Sequence, residues 1–321
     1  MDVAIGLSVI SMNKITLALL IQMVCATAAL AQSSPWKANN EAVSPRPDLK
    51  VLWQCSAKLP RKVWAYQLLP NFFSPETISN VVGVCSFEAN EKIDDDTNGM
   101  TFQSADHSRT LSVSFASGKI EYETAEIHYS PTNLAVGVPS TNELPDVAKS
   151  VLGKLHIKFS DITGWLGKNK VDFSEPLTMF YVGDAIITNV PYRTVYFRRS
   201  VDGMPVAYDF YRFNVGEHGR ISKISITWPN LQRVKSYRTV SSKDVMNFIR
   251  GGNAVRGPLP TSIGDIDWMS IKSLTITDAI PSYLVDGNQL YPFLRLDAML
   301  DTGTEKVKIG MACPIIDETK P

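Results

Sequence analysis

The chain has 321 residues, and 32 Lys and Arg balance 32 Asp and Glu, for a formal net charge of +0 at pH 7. No dense basic run appears, so the sequence offers no electrostatic basis for holding nucleic acid or an anionic lipid surface. It also lacks a later apolar run near the ~18 residues a membrane helix needs, so the mature chain is expected to be soluble.

At the N-terminus Lys14 precedes the apolar run Ile15 to Val24, and the small residues Ala29-Leu30-Ala31 stand before Gln32. That order reads as a secretory signal peptide over residues 1–31, with a retained anchor as the alternative. The run is about half the ~20 residues of a spanning helix. Cleavage leaves 321 − 31 = 290 residues, enough for two or three packed modules. The product is expected in the periplasm or outside the cell. Cys55, Cys85 and Cys313 then remain. Export permits one disulfide with one thiol left over, and Cys85 also reads as a small core residue. No C-x-x-C pair signals a redox or zinc site.

Residues 32–58, which begin rich in Ser, Pro, Asn and Ala, read as a flexible leader. A first unit over 59–135 has a helix opening at Ser74-Pro75-Glu76, a cap, a first-turn Pro and an acid at the positive helix end. Ile78, Val81, Val82 and Cys85 give it one buried face. Strands are predicted at Met100–Gln103, Thr110–Phe115 and Lys119–Tyr122, with Ser117-Gly118 as a tight turn. A second unit over 136–240 starts with a helix carrying Leu144, Val147, Ala148, Val151, Leu152 and Leu155. Strands then read as 178–187, 193–199, 205–215 and 220–228, turning at Asp202-Gly203 and Glu217-His218-Gly219. Val206, Tyr208 and Phe210 share one phase and Tyr211, Phe213 and Val215 the other. Either a bulge near Phe210 or burial on both faces explains that change. A third unit over 241–321 has a helix from Ser241, stopped by Gly251-Gly252, then strands near 270–277, 289–296 and 306–312. The expected fold class is therefore α+β: repeated units of one helix packed on a curved antiparallel sheet.

The stretch "VYFRRSVDGMPVAYDFYRFNVGEHGRISKISITWPN" resembles the hairpin of PepSY-type domains and of the related extracytoplasmic regulators of the YycH/YycI kind. Arg199, Asp202-Gly203, Pro205-Val206, Phe213, Val215, Gly219, Ile221 and Trp228 carry the likeness. The helix "SSKDVMNFIRGG" and the strand "LYPFLRL" are similar too. Ala207-Tyr208 departs from the family, where a Gly is frequent, and the regulators keep a membrane anchor where this N-terminus looks cleavable. The resemblance implies a PepSY-like binding or regulatory module, acting on a peptidase or a sensor protein, and transfers no catalytic residue.

Asp94, Asp96 and Asn98 lie in D-x-D-x-N-G, the start of a calcium loop, but the twelfth place is Ala105 instead of Glu. An acidic Asn-Gly turn is the simpler reading. His107, His128, His156 and His218 share no metal-ligand spacing and read as solvated or capping. Aromatic residues around the second hairpin read first as core, and an exposed share would form a sticky sheet face. On that basis Arg198, Arg199, Tyr208, Tyr211 and Arg212 are the candidate partner-binding residues. No cofactor is expected, and the partner class is a protein or peptide of the envelope. The functional expectation is an exported, non-enzymatic binding or regulatory protein. An enzyme with a site assembled from distant residues and a structural envelope protein are the alternatives.

Overall fold

The computed structural model describes residues 41–125, 128–164, 169–207, 211–256 and 267–316. The expected signal peptide, the leader up to residue 40, Tyr208 and Phe210 lie outside them. In chain order the elements begin with β1 (Glu41–Ala42), β2 (Lys50–Trp53), β3 (Lys62–Leu69), α1 (Pro75–Val84), β4 (Lys92–Asp95), β5 (Gly99–Gln103), β6 (Arg109–Ser114) and β7 (Lys119–Thr124). There follow α2 (Leu144–Lys154), β8 (Ile162–Thr163), β9 (Asp172–Ser174), β10 (Thr178–Val182), β11 (Ala185–Asn189), β12 (Arg193–Val201), β13 (Met204–Pro205), β14 (Tyr211–Val215) and β15 (Ile221–Thr227). The chain continues with β16 (Asn230–Arg238), α3 (Ser242–Arg250), β17 (Val255–Arg256), β18 (Ser273–Asp286), β19 (Gln289–Asp301) and β20 (Lys306–Pro314).

The three predicted helices form where their caps and apolar stripes place them. Ser74 Oγ accepts from Thr77 N at 3.1 Å at the start of α1. Ser241 Oγ accepts from Asp244 N at 3.2 Å, while Asp244 Oδ2 accepts from Ser241 N at 2.9 Å, so each satisfies an otherwise orphaned amide of α3. All three helices end alike. Phe87 N donates to Val82 O, Ile157 N to Leu152 O and Asn253 N to Phe248 O. The residue before each donor, Ser86, His156 or Gly252, has a φ of 57°, 56° or 75°. These are Schellman closures, in which one left-handed residue turns the chain back to cover free carbonyls.

The expected repeat of helix-on-sheet units is overturned. The molecule is mostly β, with large antiparallel sheets, and the first two expected units are a single body. Described residues of Cys55–Val245 and Asp278–Arg295, with those beyond Cys313, form the larger of two compact units. Its ten-stranded sheet runs β13-β12-β14-β15-β7-β6-β5-β4, with β8 and β9 also on β12. The join is β15 against β7, where Ile226 faces Ile120 and Ile224 faces Tyr122. Matching apolar positions on two strand edges are buried by pairing them, and one face of the joined sheet takes both α1 and α2. Val81, Cys85, Ala148, Val151 and Leu152 share one core with Leu111, Val113, Phe197 and Phe213. Periodicity gives each strand its buried face but not its neighbour, so the sequence split one sheet into two.

The same unit holds a ribbon of β3 and β16, paired from Leu69↔Asn230 to Lys62↔Arg238 with a bulge at Arg233/Lys235. Neither strand is read from the sequence: β16 carries little apolar alternation, and β3, though apolar, lies ahead of the first predicted helix. The span 178–187, read as one strand, is instead the hairpin β10–β11. Five chain steps separate Val206 from Tyr211, while two separate their β12 partners Arg199 and Phe197. The phase change expected near Phe210 falls outside the described residues.

The smaller unit takes the described residues up to Gln54, within Met246–Thr277 and within Leu296–Cys313. It holds β1, β2 and β17, with β18 up to Thr277, β19 from Leu296 and β20 up to Cys313, in the order β1-β17-β20-β19-β18-β2. Residues 41–53, read as leader, are part of it. β2 pairs parallel with β18 from Lys50↔Ser273 to Trp53↔Ile276. Val43, Leu49 and Val51 are buried, and the Arg46 guanidinium donates to the backbone oxygens of Trp268 and Met269 at 3.0 and 2.9 Å. Polar composition suggested a linker, but a few apolar side chains and one satisfied arginine hold it in place. Cys55, Cys85 and Cys313 are free thiols. Burial pushes the Cys85 and Cys313 thiols well above their usual range.

Candidate functional site

The candidate partner-binding residues do not gather on one exposed face. Arg198 and Tyr211 are buried. Arg199 is half-buried, stacked 4.5 Å from the Trp228 ring centroid and donating to Pro229 O at 2.6 Å. Burial holds its pKa below the usual value. Arg212 alone is exposed, and Tyr208 lies outside the described residues. The β12–β14 face packs on α1 and α2, so the aromatic–arginine run supplies core and edge packing.

At the calcium-loop candidate, Asp96 Oδ1 accepts from the backbone amides of Asn98 and Gly99 at 2.6 and 2.8 Å. Asp94 lies in β4 opposite Thr101, and Asn98 O accepts from Phe115 N at 2.7 Å. These groups close the turn between β4 and β5. His156 caps α2, its Nδ1 3.0 Å from Thr77 Oγ1, and His218 sits in a turn with φ 52°. Among the described residues no group of three or more His, Cys, Asp or Glu is placed to hold a metal.

The expected turn at Asp202-Gly203 has both residues left-handed, at φ 50° and 78°, as a two-residue hairpin requires. Its tip is tied down. Asp202 accepts from the Tyr66 hydroxyl and, at 3.0 Å, from Arg233 Nη2. Val206 bridges to Tyr283, and Ala207 N donates to Tyr283 O at 2.6 Å. Burial, followed by the Asp202 carboxylate, raises the Tyr66 pKa above its usual value.

The hairpin β10–β11 is built by the same local chemistry and left free. Gly183, at φ 59°, and Asp184 form its two-residue turn. Its register runs Val182↔Ala185, Tyr181↔Ile186, Phe180↔Ile187, Met179↔Thr188, Thr178↔Asn189. Alternation puts Met179, Tyr181 and Ile186 on one face and Phe180, Val182 and Ile187 on the other. Both faces are therefore apolar. Tyr181 is 74% exposed, Ile186 58% and Met179 51%. Among the described residues β10 and β11 pair only with each other, and each leaves an open edge there. The base is fixed: Asn189 is buried, its Oδ1 accepts from Ala135 N at 2.9 Å, and Arg193 Nε donates to Glu175 at 2.8 Å. Between Pro176 and Tyr192 the one formal charge is Asp184, at the tip. A lone two-stranded ribbon is marginal in water, and an exposed apolar patch with free backbone donors and acceptors suits a docked strand. The sequence held a signal for this hairpin, a Gly-Asp pair inside an apolar β run.

Among the described residues no helix is long and apolar enough to cross a membrane. In comparisons with known proteins, no family model and no curated protein matches the chain.

Proposed function

We propose that the chain is an exported, non-enzymatic binding protein of the cell envelope whose contact element is the β10–β11 hairpin. One observation carries this reading: a hairpin fixed at its base, apolar on both faces and, among the described residues, open on both edges. Strand addition supplies affinity through the backbone and specificity through alternate side chains. Export rests on the charged, apolar and small-residue order of residues 1–31, and a binding role agrees with the resemblance of the 192–252 segment to PepSY-type modules. The test is photo-crosslinking in intact native cells, with a benzophenone side chain at position 181 and, as control, at the exposed position 306. Adducts at 181 and not at 306 are expected. Equal labelling at both positions, or none at 181, refutes the hairpin as contact element.

A further inference from the structure

Resting on that reading, we infer that the partner strand is β10 of a second copy of this chain, paired antiparallel about a two-fold axis at Phe180. The two-residue turn makes Val182↔Ala185 the closing hydrogen-bonded pair, and hydrogen bonding alternates along the ladder. The amides and carbonyls of Phe180 and Thr178 therefore point to β11, and those of Met179 and Tyr181 point to the open edge. Two such edges are complementary about a two-fold axis. Met179 meets the partner's Tyr181 in a hydrogen-bonded pair, Tyr181 meets the partner's Met179, and Phe180 faces the partner's Phe180 in the close, non-hydrogen-bonded pair. The product is a four-stranded ribbon with a continuous apolar face on each side, which is the size at which a ribbon becomes stable.

Charge permits this occupant and sets its orientation. Residues 177–183 carry no ionisable charge that repels a second copy. In the antiparallel register Asp184 lies opposite the partner's Pro176, so the two Asp184 carboxylates are eight residues, or about 27 Å, apart along the ribbon. A parallel register would set them side by side. Tip-first insertion into a hydrocarbon layer would bury Asp184 before any apolar residue. Glu175, the other acid near this edge, is held by Arg193 at 2.8 Å.

The experiment uses the chain from residue 32 onward, in a Cys55→Ser background that leaves Cys85 and Cys313 buried. Sedimentation equilibrium is expected to give a dimer. Phe180→Lys sets two lysines face to face at the axis and is expected to weaken association more than about tenfold with an unchanged melting temperature. Under a mild oxidant, Phe180→Cys is expected to give a covalent dimer and Asp184→Cys none. A monomer at every concentration, or crosslinking at 184 as efficient as at 180, overturns the inference. A monomer that still gives benzophenone adducts at 181 with another protein sinks self-pairing and leaves the binding role standing. A monomer with no adduct at 181 sinks both.

Discussion

Two hairpins in this protein, turning at Asp202-Gly203 and at Gly183-Asp184, begin from nearly the same local chemistry and end differently. Each reverses the chain in two residues with a glycine at positive φ. The first is held by Tyr66, Arg233 and Tyr283, and its strand β12 lies within the ten-stranded sheet. The second is held at its base and keeps its apolar side chains in solvent. A turn therefore makes a hairpin, while distant side chains decide whether it becomes framework or remains available to a partner.

The comparison can be broken first on the anchored side. Phe213 is fully buried against Phe197, and Phe213→Ala should cost about 3–5 kcal/mol in urea unfolding. Tyr122 lies in the same core, where burial pushes its pKa up to about 12. The unfolded chain ionises this phenol near pH 10 while the folded chain keeps it neutral. Its contribution is present below about pH 10 and lost as pH rises toward 12. Tyr122→Phe should remove up to about 2 kcal/mol of that alkaline loss, read as the difference between the two unfolding curves.

Asp202→Ala removes the acceptor shared by Tyr66 and Arg233. With the carboxylate 37% exposed, about 1–2 kcal/mol is expected, read as a shifted urea midpoint. The sharpest contrast is the same substitution in both turns. No atom crowds a Cβ at Gly203 or Gly183, so positive φ alone strains alanine there. Gly203→Ala should lower global stability by about 1 kcal/mol. Gly183→Ala should change it by less than about 0.5 kcal/mol and instead speed amide exchange of Met179 to Thr188, because that hairpin opens without the rest. Equal global losses would show that both hairpins unfold with the core.

Much of this was legible in the sequence, residue by residue. Ser74-Pro75-Glu76 and Ser241 to Asp244 fixed two helix starts, and Gly118, Gly203 and Gly219 marked turns that the chain makes. The candidate site was not legible. Arginine and aromatic residues at 198, 199, 211 and 212 looked like a binding face, yet their sheet is covered by α1 and α2. The run 178–187 read as one strand of the second unit, yet it is a hairpin with Met179, Tyr181, Val182 and Ile186 exposed.

The sequence by itself determined the local elements, because caps, turn residues and apolar spacing act over a few positions along the chain. Only the tertiary structure decided that β15 pairs β7, that β2 joins β18 across more than two hundred residues, and that β10–β11 stays uncovered. Those outcomes depend on which apolar surfaces meet. Hydrophobic burial is non-directional, so a strand's pattern states that a face must be covered and leaves the choice of cover to the fold.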